Sequence, residues 1–279
     1  MQNFIDYFAH IPPAHRSVIL VGGLALFMLL ETGIPLSRER YAKWQHAGVN
    51  LFFTLTTVVV NFLMATVLLR ASDWAVASQV GIMPQLPTMP LWASTLLGLL
   101  LLDLIGAYGA HWSEHRVRWM WRFHLIHHTD THVDATTANR HHPGESVIRF
   151  AFTTVGVVLV GAPIYLVFLY QSMSALLSQF NHANIALPTF LDRALSWVIV
   201  TPGMHRVHHH HTLPHTDTNF GNIFAIWDRL FGTFSHLEES EIVFGIDTHP
   251  DPAEHSQIGG LLKIPFQQYR APVKSLGDR

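Results

Sequence analysis

The sequence contains no cysteine and has few charged residues. Cysteine is absent from the 279 residues, and Asp, Glu, Lys and Arg together make up 13% of the chain. The lack of cysteine excludes disulfides and thiolate metal sites such as zinc ribbons and iron–sulfur clusters. Soluble domains carry about 25% charged residues, so the low charge content predicts burial in lipid. The net charge of −2, with histidine neutral, offers no basic field, and we expect no nucleic-acid partner.

Apolar tracts predict an all-α membrane protein. Three of them run over 17–35, 49–69 and 91–110. Each is close to the ~20 residues that a helix needs to cross a bilayer. A fourth tract, from Val147 to about Ile185, is too long for one crossing and contains Gly161 and Pro163. It predicts a helical hairpin, or one span followed by a half-buried helix. The expected fold is a transmembrane helical bundle of about four spans, or of three spans plus a hairpin.

The orientation of this bundle follows from the positive charges in its short loops. Arg and Lys follow the first span (Arg38, Arg40, Lys43) and the third span (Arg116, Arg118, Arg122), whereas the loop between the second and third spans has only Arg70. We therefore expect the first and third spans to end in the cytoplasm. Beyond Leu187 the chain is mixed in polarity and rich in Gly and Pro, which predicts a helical cap on that face.

Histidine is abundant where other polar residues are scarce. The chain has 21 histidines, and three clusters of them stand out: His111 and His115; His124, His127 and His128; His205, His208 and His209. Positions i, i+3 and i+4 share one face of a helix, so each cluster can direct two or three imidazoles at one point. Roughly 0.1 copies of H-x-x-H-H are expected by chance in a shuffled chain, and two are present. A pH-sensing or solvated surface role is the alternative.

The number of imidazoles indicates more than one metal ion. A single zinc takes about four ligands, so eight histidines suit two ions with positions left open for oxygen or water. Imidazole-rich sites suit Zn, Cu, Fe and Ni, and redox chemistry next to lipid favours iron. The position of the clusters after the third apolar tract indicates a substrate that partitions into the bilayer.

The ordered motifs HWSEH, HLIHH and HRVHH resemble those of the fatty acid hydroxylase / sterol desaturase superfamily of membrane di-iron enzymes. The resemblance extends beyond them, over roughly residues 95–235. It includes FNHAN at 180–184, the pattern D-x-x-T-x-x-R-x-H-P-x-E at 134–145, and D-x-N-F-G followed by IWDRLFGTF at 217–234. The chain departs from the family pattern in having four consecutive histidines at 208–211 and an extra one at 141.

The resemblance implies an oxygen-dependent reaction on a lipid. Two iron ions would bind O2, and electrons would come from a separate donor, a ferredoxin or a cytochrome with its reductase. A lipid from the bilayer would then be hydroxylated or desaturated, and both reactions stay open. We expect one membrane domain over 1–279, in which spans at 17–110 precede a di-metal catalytic region at 111–235 and a C-terminal tail at 236–279.

The metal ligands expected from the clusters and the resemblance number nine. They are His111, His115, His124, His127, His128, His182, His205, His208 and His209. Of these, His182 is implied by its family position. The remaining histidines are expected to be polar flanks of the site or, like His46, ordinary surface residues.

Five further residues are expected to support the ligands. Asp103 lies on the helical stripe of His111 and His115, and a carboxylate inside a span is costly and a functional hypothesis by default. It would accept the N–H of a liganding imidazole. Asp217 and Asp228 would do the same for the third cluster, or would cap a turn or helix. Asn184 would hold a metal-bound water or cap a helix end, and His142 would support the site, act as a tenth ligand, or face away in a turn.

Two other classes of protein also use membrane-associated histidines. A metal transporter places its ligands near the bilayer midplane on broken helices, whereas of the residues expected at this site only Asp103 lies within the spans predicted at 17–110. A metal-binding protein without oxygenase activity remains the alternative. A bis-histidine haem protein needs isolated histidines on separate spans, which these clusters do not provide.

Overall fold

The structure is a computed structural model that describes residues 2–272. Helices dominate these residues, which contain three isolated β-bridges and no strand. The prediction of an all-α fold is confirmed. A short helix, α1 (Gln2–Ala9), opens the described chain and packs against the last helix of the bundle.

Four helices are long and apolar enough to cross a membrane. They are α2 (Pro13–Gly33), α3 (Lys43–Ala77), α4 (Leu91–Arg116) and, after the short α5 (Arg118–His128), α6 (Pro143–Val160). Only 11% of the apolar window is buried in α2 and in α3, against 39% in α4 and in α6. Because burial inside the protein is so low, most of the apolar surface of α2 and α3 faces outward from the bundle.

The fourth apolar tract forms two helices joined by a turn, and of the two only α6 is among the four candidate spans. Helix α6 ends at Val160 and is followed by Gly161, which caps the helix with a left-handed φ of 73°. Helix α7 (Ile164–His182) begins after Pro163. A Cβ at Gly161 would lie 2.5 Å from the carbonyl oxygen of Val80, so the turn requires glycine both for its backbone angle and for this close approach. Both helices pack on α4, and the buried side chains of Leu102 and Leu166 lie in the shared core.

The chain after α7 forms a cap of short helices, as predicted. They are α8 (Thr189–Leu195), α9 (Pro202–His208), α10 (Ile226–Leu230), α11 (Pro252–Ser256) and α12 (Ile258–Leu261). The cap covers the end of the bundle where α2, α4 and α7 finish and where α3 and α6 begin. The face of the membrane on which this end lies stays a prediction.

A buried polar network fixes the segment that joins α5 to α6. Asp130 accepts hydrogen bonds from His46 (2.7 Å), Asn50 (3.1 Å) and Thr137 (2.7 Å). The Arg140 guanidinium donates to Asn50 Oδ1 at 2.8 Å and to the Ile126 carbonyl at 3.0 Å. These bonds tie the start of α3 to the end of α5.

The expectation that His46 is an ordinary surface residue is therefore wrong. Its ring lies between the carboxylates of Asp130 and Asp134, and 13% of its side chain is exposed. The network holds in place the helix that carries His124, His127 and His128.

Candidate metal centre

The first two histidine clusters lie on two helices separated by one residue. Val117 is extended (φ −101°, ψ 108°) between α4, which ends at Arg116, and α5, which begins at Arg118. This sharp turn folds α5 back against the end of α4. His111 and His124 thereby come into contact, with 3.1 Å between their Nε2 atoms.

The nine histidines predicted as ligands are brought together and sort into two groups. The five-histidine cluster contains His111, His115, His124, His128 and His208, and the four-histidine cluster contains His127, His182, His205 and His209. Within each cluster, one nitrogen from every ring lies within 4.8 Å of the others. Two imidazole nitrogens bound to one ion at 2.0–2.1 Å are about 3 Å apart when adjacent and about 4.2 Å apart when opposite. The nitrogens of each cluster are therefore close to the spacing that a shared ion requires.

The H-x-x-H-H spacing serves both clusters at once. In the segment at 124–128, the first and last histidines face the five-histidine cluster and the middle one faces the four-histidine cluster. In the segment at 205–209 the assignment is reversed, and only His208 joins the five-histidine cluster. The clusters are consequently adjacent, with the rings of His128 and His209 stacked at a centroid distance of 4.9 Å.

In the five-histidine cluster, four rings donate through Nδ1 to an oxygen that can only accept. His111 donates to the Phe220 carbonyl (2.9 Å), His124 to Glu145 (2.8 Å), His115 to Asp217 (3.1 Å) and His208 to the Thr218 carbonyl (2.6 Å). A neutral imidazole carries one hydrogen, so each of these rings presents an Nε2 lone pair to the centre of the cluster.

Two of these lone pairs face each other without a hydrogen between them. The Nε2 atoms of His111 and His124 are 3.1 Å apart, and both rings use Nδ1 as the donor. Burial, together with the neighbouring imidazoles, lowers the pKa of His124 well below its ordinary value, so a second hydrogen on this ring is disfavoured. A cation placed between the two nitrogens removes the repulsion, and this is the chemistry of a metal site.

Close contacts between ring nitrogens also occur around His182 in the four-histidine cluster. This ring donates from Nδ1 to the Ser178 carbonyl (2.7 Å), and its Nε2 lies 3.1 Å from Nε2 of His127 and 3.0 Å from Nε2 of His205. Among the described residues, neither ring nitrogen of buried His209 has a hydrogen-bond partner. A buried polar atom without a partner costs about 1–3 kcal/mol. A metal ion bound to His209 relieves that cost.

A buried arrangement of charges, which the sequence analysis missed, supports His124. Glu145 accepts from His124 and also from Nε of Arg149 at 3.0 Å, and the same guanidinium lies 2.8 Å from Glu114. Glu114, His124 and Glu145 also have donor atoms close enough for a metal ion, but Arg149 already supplies the cation there. An arginine inside an apolar tract was the available sequence signal.

The aspartates predicted to support the ligands have other partners. Among the described residues, Asp103 accepts from the backbone N–H of Ile223 (3.2 Å) and Phe224 (3.1 Å) and from the Trp227 indole (3.1 Å), and from no imidazole. Its predicted contact with a ligand is therefore wrong. Asp103 lies on the face of α4 to which the cap docks, and backbone donors of the cap occupy both of its oxygens.

Asp217 and Asp228 are expected to support the third cluster or to cap a turn or helix, and among the described residues neither accepts a hydrogen bond from that cluster. Asp217 accepts from His115 of the first cluster instead. Asp228 accepts from the backbone N–H of Phe220 (2.7 Å) and Gly221 (2.8 Å). It thereby positions the Phe220 carbonyl that receives the hydrogen of His111.

Asn184 and His142 act in local structure. The amide of Asn184 pairs with the backbone of Ser37 in both directions at 2.8 Å, which fastens the end of α2 to the end of α7. His142 caps α6 by accepting from the Gly144 N–H at 2.9 Å, and it belongs to neither histidine cluster.

Known proteins share the part of the chain that builds this centre. The family model for fatty acid hydroxylase matches residues 95–233. The ornithine lipid hydroxylase OlsE of Rhizobium tropici is 30% identical over 145 residues, which is 52% of this chain and 43% of that protein. The alkylglycerol monooxygenase of Homo sapiens is 31% identical over 159 residues, 57% of this chain and 33% of that protein. A cholesterol 25-hydroxylase-like protein of Danio rerio (protein 1, member 2) is 25% identical over 183 residues, 65% of each chain.

The matched segment covers less than half the length of the first two relatives. No solved structure matches the chain significantly. The family match runs from within α4 to the end of the cap segment that supports His111, and it includes all nine clustered histidines. The chain belongs to the fatty acid hydroxylase family.

Proposed function

We propose that this protein is a membrane-bound, O2-dependent hydroxylase of lipids that holds two iron ions in the two histidine clusters. The observation that carries the proposal is the pair of adjacent, buried histidine clusters at the end of a membrane bundle, together with the opposed Nε2 lone pairs of His111 and His124 in the five-histidine cluster. Its relatives include proteins named as lipid hydroxylases and monooxygenases.

The donor set supports redox-active metal ions. Both clusters offer only neutral imidazole nitrogen, which suits iron as well as zinc, copper and nickel. Of these metals, iron and copper combine binding by imidazole with oxygen chemistry, and iron is the metal implied by the family. When bound, the iron ions supply the binding and activation of O2.

The reaction inserts one oxygen atom of O2 into a C–H bond of the lipid and reduces the other atom to water. This balance requires two electrons and two protons, and we propose that a separate ferredoxin or cytochrome, with its reductase, supplies the electrons. Hydroxylation is preferred over desaturation because the named relatives hydroxylate or monooxygenate their substrates.

The chain's own residues orient the ligands and exclude water. Glu145 and Asp217 hold the rings of His124 and His115 in one tautomer, as carboxylates do beside metal-bound histidines. The backbone carbonyl of Phe220 does the same for His111. His111 is 5% exposed, His124 is fully buried, and the side chain of His115 is fully buried as well. Bulk water therefore has little access to these three rings.

A cleft lies beside His115, which is the only clustered histidine that lines it among the described residues. It has a volume of about 260 Å³, and its wall includes Arg116, Trp121 and Asp217 beside His115. We propose that this cleft lies on the cytoplasmic face, as the loop charges predict, and that the electron donor docks at its rim. His115 is the ligand nearest to that rim.

The substrate class follows from the membrane setting. Four helices can cross a bilayer, and the clusters lie where these helices end. The relatives act, by their names, on an ornithine lipid and on alkylglycerols, which share a membrane lipid character but not a headgroup. A membrane lipid is therefore the proposed substrate.

The test combines metal analysis with lipid analysis of the same cells. We expect purified protein to hold about two irons per chain and cells that express it to accumulate a lipid heavier by one oxygen atom. His127→Ala, in the four-histidine cluster, should lose both iron and product. His236→Ala provides the matched control because His236 is exposed and belongs to neither cluster.

Two results would contradict the proposal. Retention of iron and product by the His127 variant would remove the ligand assignment. Zinc as the only bound metal, together with an unchanged lipid profile, would favour a metal-transporting or metal-binding role over an oxygenase.

A further inference from the structure

The cap exposes a continuous apolar surface outside the candidate spans. Its members, which we call the apolar cap face, are Trp197 (68% exposed), Val198 (61%), Ile226 (48%), Leu230 (66%) and Phe231 (54%). The two segments that carry them are paired. The Ala225 N–H donates to the Val198 carbonyl at 3.1 Å, and the Val200 N–H donates to the Ile223 carbonyl at 3.1 Å. Contiguous exposed apolar patches on a protein mark interaction surfaces.

This face is attached to the apolar part of α4. Asp103 binds the backbone of Ile223 and Phe224 and the indole of Trp227. Asp103 lies eight residues before His111, which is roughly 12 Å further into the span at 1.5 Å per residue. Farther along α4, the Tyr108 ring stacks on Phe231 at 5.3 Å. The apolar cap face therefore lies beside α4, at the level of the apolar residues of that candidate span.

The charges around the face suit a phospholipid surface. Arg193 is exposed, and the Arg229 guanidinium lies over the rings of Trp197 (4.6 Å) and Phe234 (4.3 Å). The nearby carboxylate of Asp228 is fully buried and accepts hydrogen bonds from the backbone and from Thr233. Exposed aromatic and aliphatic side chains with arginine at the edge are typical of segments that lie in the interface of a bilayer with anionic lipids.

We propose that the apolar cap face is immersed in the bilayer, so that segments 197–198 and 226–231 form an interfacial anchor rather than part of a water-facing cap. The anchor has a direct link to the metal centre. Asp228, in the same helix as Ile226 and Leu230, holds the Phe220 backbone whose carbonyl orients His111. Lipid contact and the orientation of a metal ligand are thereby coupled through one short segment.

The absence of cysteine makes the depth of this face measurable. Single-cysteine variants can carry a nitroxide label in nanodiscs of phosphatidylcholine and phosphatidylglycerol, and collisions with O2 report lipid whereas collisions with a water-soluble nickel chelate report water. Leu230→Cys and Trp197→Cys test the face. Phe62→Cys, at a 79% exposed position of α3, is the lipid reference, and His236→Cys, on the exposed cap, is the water reference.

We expect the labels at 230 and 197 to resemble the label at 62, with an O2-to-nickel collision ratio several-fold above that at 236. A ratio equal to that at 236 would overturn the proposal by showing a water-facing surface. Protection from both reagents, with dipolar broadening between labels, would also overturn it, because a second copy of the chain would then cover the face. Since neither reagent depends on turnover, the outcome is independent of the proposed hydroxylase activity.

Discussion

Nε2 of His111 lies 3.1 Å from Nε2 of His124, although both rings carry their hydrogen on Nδ1. The donors of both rings are committed to oxygen acceptors, the Phe220 carbonyl and the Glu145 carboxylate. The Nε2 lone pairs of both rings are therefore already oriented toward the position that a cation would occupy. The following predictions test how the protein maintains this arrangement.

Replacing Glu145 by Gln should weaken metal binding. Glutamine loses the charge that strengthens the hydrogen bond from His124, and loss of such an outer partner commonly reduces metal affinity 10- to 100-fold. Competition with a chelator of known affinity measures the change. Glu238→Gln is the control, because the Glu238 side chain is 78% exposed. Equal affinities for the two variants would contradict a positioning role for Glu145.

Replacing Asp103 by Asn should loosen the cap and weaken the five-histidine cluster. Aspartate accepts three N–H donors here, whereas asparagine has one acceptor oxygen, so at least one buried donor is left unpaired at a cost of about 1–3 kcal/mol. We expect a lower melting temperature in detergent together with partial loss of metal. The exposed Asp73 of α3 offers the matched control, Asp73→Asn. A melting temperature unchanged from that control would show that Asp103 does not anchor the cap.

Arg140→Leu should be strongly destabilising. Its guanidinium is 1% exposed and donates to Asn50, Thr129 and the carbonyls of Ile126 and His255. Removing one partner of a buried charged network costs about 3–5 kcal/mol. Thermal unfolding measures the loss, and Arg40→Leu, at an exposed position, should leave the melting temperature near that of the parent protein. Comparable melting curves for the two variants would argue against the network.

Acid should release the metal and destabilise the fold. Burial, and then the neighbouring imidazoles, lower the pKa values of His205 and His209 well below the ordinary range. In the unfolded chain these rings titrate near pH 6.5. The folded state therefore binds fewer protons than the unfolded state below that pH, and its stability falls as the pH drops, with no such penalty above it.

Metal ligation by neutral imidazole strengthens this dependence, because protons compete with the ion. The measurement is bound metal per chain and melting temperature after equilibration at a series of pH values from about 7.5 to about 5. We expect both to decrease together over the lower part of the range. Full metal retention at the acid end would contradict coordination by these imidazoles.

Hydropathy and helical spacing predicted several particulars that the structure confirms. Three apolar tracts became α2, α3 and α4, and the fourth became the candidate span α6 followed, after a turn, by α7. Gly161 and Pro163 were the reason to expect a turn there, and both lie in it. Whether the clustered histidines bind metal stays a prediction, although the structure brings all nine together.

The errors concern residues whose partners are distant in sequence. Asp103 shares a helical stripe with His111 and His115, yet its carboxylate binds a cap segment 120 residues later. His46 carries no local signal of burial, because its partner Asp130 is 84 residues away. Glu145 and Arg149 reach the site because α6 packs beside the end of α4, which is a tertiary contact between distant parts of the sequence.

Apolar length and the repeat of the α-helix act over a few residues, and they were sufficient to predict a membrane bundle with imidazoles grouped on helix faces. The division of those imidazoles into clusters of five and four required the packing of α4, α5, α7 and α9, since each H-x-x-H-H segment contributes to both. The tautomers were likewise set by acceptors on other segments, such as Glu145 and the Phe220 carbonyl. Helix periodicity orients a side chain about its own axis, whereas the atom that it meets is determined by how the helices pack.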